Sequence, residues 1–102
     1  MRLTDRERDR LLVYLAAELA RRRRADGIAL NHPETVAMIT DEMMEAARRG
    51  ESYESVLQAG RDAVDIEETI EGVPEMIDSI EVEVMMSEGM KLVSLSDPFA
   101  GT

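Results

Sequence analysis

Leu11, Leu12, Leu15, Ala16 and Leu19 recur at three- and four-residue intervals and form one apolar stripe along a helix. Thr4-Asp5-Arg6-Glu7 stands just before it and fits a capping box, in which the Thr hydroxyl and the Glu carboxylate satisfy backbone donors at a helix start. The pattern predicts a first helix of about twenty residues, on the order of 30 Å long, running to Arg21–Arg24 and closed by Gly27. Asn31-His32-Pro33-Glu34 repeats the logic: Asn caps, Pro suits a first turn, and Glu34 stands at the capping-box position. Val36, Ile39, Met43, Ala46 and Ala47 make the stripe of this second helix, which Gly50 ends. Met38 falls off that stripe, beside Asp41, Glu42 and Glu45, and reads either as an exposed methionine or as a partner contact. Ser52 opens a short third helix through Val56 and Leu57 to Gly60, and Asp65 a brief fourth one ending near Gly72.

From residue 80 the period changes to two. Ile80, Val82, Val84 and Met86 alternate with Glu81, Glu83 and Met85, as in a strand with one buried face. Between helix and strand lies EGVPEMI, residues 71–77: Gly72 closes a helix, Pro74 forbids its continuation, and Val73 before proline is pushed toward extended backbone. Met76 and Ile77 follow at once and need cover from the helices or from another subunit. Ser87-Glu88-Gly89 reads as a three-residue hairpin turn, returning Lys91–Leu95 antiparallel. That register sets Met86 against Met90 and Val84 against Leu92 on one face, with Glu83 against Val93 and Glu81 against Leu95 on the other. The second face is then half apolar and calls for cover from another chain, with Phe99 as a further anchor. The expected fold is a single α+β domain over residues 1–102, a small bundle of about four helices followed by a C-terminal two-stranded antiparallel hairpin.

Composition sharpens this picture. One small domain of 102 residues buries only about two-thirds of the surface its unfolded chain exposes, so its margin of stability alone is thin. Eight Met with two Tyr, one Phe and no Trp fit either contacts outside the chain or a flexible core. The net charge of −10 is uneven: residues 1–30 hold eight Arg against five acids, an excess of +3, which leaves −13 for the rest. Arg21–Arg24 therefore reads as cations complementing a helix C-terminus, and the acidic remainder argues against nucleic acid. With Lys91 the only lysine, the acidity fits a saline habitat or a GC-rich genome equally. No apolar run is long enough to span a bilayer, and MRLTDRERDR lacks a signal peptide's apolar segment, so the expected location is the cytoplasm.

Candidate chemistry is sparse. There is no cysteine, hence no disulfide, thiolate metal site or cysteine nucleophile. The one histidine, His32, sits in a helix's first turn beside Pro33, and one His without Cys does not make a usual transition-metal site. Serines are available, but no nucleophile-elbow glycine pattern surrounds any of them. Residues 62–88 carry ten acids without the ligand spacing or central glycine of a calcium loop, and no glycine-rich phosphate loop is present. No catalytic, cofactor-binding or metal-ligating residue is assigned. These features describe an acidic domain with apolar surface to spare, which is the profile of a subunit.

Several stretches carry a resemblance: MRLT with ERD, LLVYLAAELARRRR, NHPETVAMITDEMMEAARRG, LQAGR, EGVPEMI, IEVEV and EGMKLVSLSDP. Together they resemble the gamma subunit of microbial urease from first residue to last, with EGVPEMI the best single match. The departures are His32 where the family commonly has Tyr, Ser87-Glu88-Gly89 in place of a Pro-Asp-Gly turn, and a more acidic stretch over residues 57–77. The resemblance implies a non-catalytic subunit of an enzyme that hydrolyses urea to ammonia and carbamate. It places a dinuclear nickel centre and all its ligands in the alpha subunit, and a trimer of alpha–beta–gamma units as the assembly. No nickel ligand carries over to this sequence, and the chain alone is expected to be inactive. Two other classes are a free-standing acidic adaptor, including one occupying a DNA-binding surface, and a small hydrolase in its own right. The first requires a stable monomer or homodimer without urease partners; the second requires turnover by the isolated chain.

Overall fold

The computed structural model describes residues 1–101. Three helices, α1 (Asp5–Ala25), α2 (His32–Arg48) and α3 (Tyr53–Asp62), precede a hairpin of β1 (Ser79–Met86) and β2 (Gly89–Ser96). Each helix starts where a side chain closes its open N–H groups. Thr4 Oγ1 accepts from the Glu7 N–H at 3.1 Å while Glu7 accepts from the Thr4 N–H at 2.8 Å. Asn31 and Glu34 make the same reciprocal pair at 2.9 Å each way, with Pro33 in the first turn. Ser52 caps α3 through the Ser55 N–H. Gly27 adopts a φ of +77° just beyond α1, a conformation that costs glycine little.

α2 is the central element, packed against α1, α3 and β1, while α3 also touches β2. Leu30, Met38, Ile39, Met43, Val56, Val93 and Leu95 are the largest apolar side chains fully buried among these layers. Met38 is therefore neither exposed nor waiting for a partner: it is 1% exposed, inside the protein's own core. A helix covered on several sides buries an arc wider than one stripe, which takes in Met38 and even Asp41. Gly60, inside α3, sits where that helix meets β2. A Cβ there would lie 2.7 Å from Leu95 Cδ2 and 2.8 Å from Met43 Sδ. Arg61 fixes the same contact by donating to the carbonyls of Ser96 and Asp97 at 3.1 and 2.9 Å.

The expected fourth helix is reduced to a single 3-10 turn, Ile66–Glu68. The chain after it is drawn into a parallel bridge between Leu30 and Thr69, with Leu30 N–H donating to Glu68 at 2.8 Å and Ile70 N–H donating to Leu30 at 2.9 Å. Thr69 is consequently extended, and no helix can continue through it. EGVPEMI also differs from expectation. Val73 is helical in backbone, and Pro74–Met76 forms a second 3-10 turn instead of extended chain. The hydrogen bond from Val73 N–H to Ile70 O at 3.0 Å holds that geometry against the bias before proline. Ile77 then turns into the core, and Met76 stays outside it.

The hairpin is one residue tighter than the expected register. Met86 pairs with Gly89 across a two-residue loop, Ser87-Glu88, so Val84 pairs with Lys91, Val82 with Val93 and Ile80 with Leu95. Because strand side chains alternate, the slip exchanges faces on β2: Val93 and Leu95 join Ile80, Val82 and Val84 inside, and Met90 and Leu92 move out. Burial of five branched side chains on one face selects this register over the other. Phe99, expected to anchor on another chain, packs half-buried against the protein's own core.

Candidate interaction surface

The leucine stripe of α1 is present, but it points away from the core. Leu11, Leu12, Leu15 and Leu19 are 45%, 56%, 60% and 47% exposed, and Ala17 and Ala20 are the buried residues of the helix. At 100° per residue, Ala17 and Ala20 lie nearly opposite Leu15. The inward face is built from Arg10, Val13, Ala17, Ala20, Arg21 and Arg24, small residues flanked by cations.

A buried carboxylate explains that orientation. Asp41 of α2 has a side chain only 3% exposed, and two guanidiniums of α1 converge on it: Arg10 Nη1 at 2.8 Å and Arg21 Nη2 at 2.6 Å. Arg10 also reaches Glu45 at 2.7 Å, and Arg21 reaches Glu42 at 2.8 Å and Glu18 at 2.7 Å. The Arg10–Asp41 contact is off the line of a good N–H bond, so Coulomb attraction carries it. Burial works against the charge on Arg21, but its bonds to Asp41, Glu18 and Glu42 outweigh that and hold its pKa above the ordinary arginine value. Further along, Arg23 pairs with Glu34, and Arg24 donates to Ala63 O at 3.1 Å and approaches Glu68 at 3.5 Å. Three of the four consecutive arginines thus tie α1 to the acidic elements beside it, a role beyond complementing a helix end. Burial tends to raise the Glu34 pKa, while the Asn31 N–H and Arg23 lower it further, leaving the carboxyl below its usual range.

Other apolar groups are also uncovered. Met85, Met90 and Leu92 share the outer hairpin face with Glu81 and Glu83, and Met76 is 64% exposed. Beside the hairpin an open groove of about 940 Å³ runs between the first turns of α1 and the end of α2, lined by Arg6, Asp9, Val13, Met44, Glu81 and Met90 among others. Arg6 spans it to Glu83 at 3.3 Å. His32 lies half-buried in the first turn of α2, and among the described residues no group of three His, Cys, Asp or Glu is placed to hold a metal ion. Among the same residues no helix is long and apolar enough to cross a membrane.

Sequence patterning located the leucines but not the direction they face. The signal for that direction is the complementary spacing of Arg10, Ala17, Arg21 and Arg24, which meets Asp41, Glu42 and Glu45 on the next helix.

What the geometry defines is a small α+β domain whose charged groups fasten its helices together and whose apolar side chains are partly left outside. The sequence model of the family described as urease, gamma subunit, matches residues 1–99, and the chain belongs to that family. It is accordingly a urease subunit, of a family that associates with other urease subunits.

Proposed function

We propose that this chain is the structural gamma subunit of a nickel-dependent urease. In this reading it assembles with alpha and beta subunits in the cytoplasm as a trimer of alpha–beta–gamma units. The alpha subunit carries the site that hydrolyses urea to ammonia and carbamate, and this chain contributes shape and contact area. The observation that carries the reading, within the family, is the outward leucine face of α1. Four half-exposed leucines on one helix form a contiguous apolar patch of the kind that marks protein contacts. The donor set does not suit nickel: a single histidine, no cysteine, and, among the described residues, no group of three His, Asp or Glu placed to hold a metal ion. Bound nickel would supply an activated hydroxide and polarise the urea carbonyl, and no residue here is assigned to that chemistry.

Purification of this chain from its source at native ionic strength, with identification of the accompanying proteins, tests the reading. The expected result is co-elution with larger urease subunits, ammonia release by the complex and none by the chain alone. Turnover by the isolated chain would make it a hydrolase in its own right. A stable monomer or homodimer with no urease neighbour would favour the acidic adaptor.

A further inference from the structure

α1 is fastened differently from the elements around it. Of its 21 residues only Ala17 and Ala20 are buried, against nine of the 17 in α2. Alanine takes little apolar area out of water, and α2 is the element that α1 covers broadly. The first turns of α1 stand across the open groove from the hairpin, spanned there by the exposed Arg6–Glu83 pair at 3.3 Å. What holds the helix is charge: Arg10 and Arg21 on Asp41, with Glu42 and Glu45 beside it, then Arg23 on Glu34 and Arg24 on Glu68. Glu18 of α1 itself also pairs with Arg21, and Arg48 of α2 shares the groove with Asp5 and Asp9. The rest of the fold does not lean on carboxylates in this way. α2, α3 and the hairpin close on Ile39, Met43, Val56, Val93 and Leu95. Arg61 joins α3 to the end of β2 through two carbonyl oxygens, which acid leaves unchanged. A boundary between the two parts lies just after α1. Leu30 is fully buried and bonded through both its N–H and its carbonyl, while residues 25–29, with Gly27 at a φ of +77°, are exposed. That link joins an anchored point to a helix gripped by ion pairs.

We propose that α1 is a hinged arm, latched on α2 through Asp41 and released when acid neutralises that carboxylate. Arginine keeps its charge in acid. A protonated Asp41 therefore leaves two guanidiniums turned toward the interior without a counter-charge, which costs far more than an unpaired charge at the surface. Swinging out about residues 26–29 returns both cations to water and uncovers Met38, which lies three residues before Asp41 on the same side of α2. Protonation of Glu34, Glu42, Glu45 and Glu68 loosens the grip in the same direction, and the two buried alanines are too small to replace it. Arg24 keeps its bond to the Ala63 carbonyl, a tether close to the hinge. The opening is a local one: the apolar contacts of α2, α3 and the hairpin stay closed beneath it. At neutral pH the carboxylates recharge and the arm closes again.

Hydrogen exchange of the full-length chain, read by mass spectrometry from about pH 7 down to about pH 3 and corrected for the intrinsic effect of pH on exchange, tests this. On acidification the amides of residues 13–21 should lose about a hundredfold in protection, with recovery on return to neutral pH. Peptides containing Val56, Val93 and Leu95 should change by less than about threefold over the same range. Asp41→Asn, which removes the charge at nearly constant shape, should show the α1 loss already at neutral pH. Should that variant fail to fold, the wild-type series carries the test. Protection lost to the same extent in α1, α3 and the hairpin would make the chain one cooperative unit and overturn the arm. Protection kept by α1 throughout the series, or kept at neutral pH by a folded Asp41→Asn, would overturn the latch.

Discussion

Glu34 serves two neighbours at once: its carboxylate accepts from the Asn31 N–H at the start of α2 and pairs with Arg23 at the end of α1. Its lowered pKa makes this a pH-dependent contribution. Between the folded and unfolded pKa values the unfolded chain binds more protons, so the stabilisation is fully present above the unfolded value, about 4.3, and is lost as the pH falls through the folded one. Urea unfolding of wild type and Glu34→Gln from pH 3 to 7 checks this. The variant should be about 1–2 kcal/mol less stable at pH 7, and the gap should close on acidification. A gap that stays constant with pH would mean that Glu34 acts through packing instead. Asp41 shows why such groups weigh heavily: two arginines converge on one buried carboxylate, and losing it would leave guanidinium charge facing the interior.

Among the elements, the helix starts were the most legible features. Thr4, Asn31 and Ser52 cap the three helices as their spacing suggested, since capping is a local interaction between residues three apart. The strand beginning near Ile80 was legible for the same reason, because alternation is written within one segment. What could not be read locally were choices made between segments. The Leu30–Thr69 bridge truncates a fourth helix, and pairing of Val82 with Val93 fixes a register that the turn residues alone left one position away. The orientation of α1 belongs to the same class, being decided by acids on α2. Gly60 is a further case: from sequence it reads as a helix terminator, whereas it lies inside α3 and lets the helix approach Leu95 and Met43. Gly60→Ala gains helix propensity, yet must displace two fully buried side chains. It should destabilise the chain by about 1–3 kcal/mol in urea unfolding, and a neutral or stabilising result would show that α3 can retreat freely.

At the scale of the whole molecule, the chain spans 37 × 33 × 20 Å, thin enough that only about two layers fit across it. Such a slab cannot enclose every apolar face its helices and strands present. Its charge is equally one-sided, with −13 over the residues after Ala29-Leu30 set against the cations of α1. Self-repulsion at neutral pH should therefore respond to salt more than the exposed ion pairs do, while the Asp41 contacts, being buried, are screened least. Thermal unfolding of the isolated chain in about 0.02 and 0.3 M NaCl gives the comparison, with a rise in Tm of about 4–8 °C expected, equivalent to ~1 kcal/mol. A fall in Tm with salt would show that surface pairing outweighs repulsion.

The two sides of α1 divide their duties without sharing a residue. Arg10, Ala17, Ala20, Arg21 and Arg24 hold the helix in place, and Leu11, Leu12, Leu15 and Leu19 have no part in that grip. Descent with modification can then redraw the sociable side of the helix, or erase it, while the architecture beneath is inherited unchanged. The same independence gives protein engineers a route to a solitary version of this chain through four substitutions on a single exposed strip.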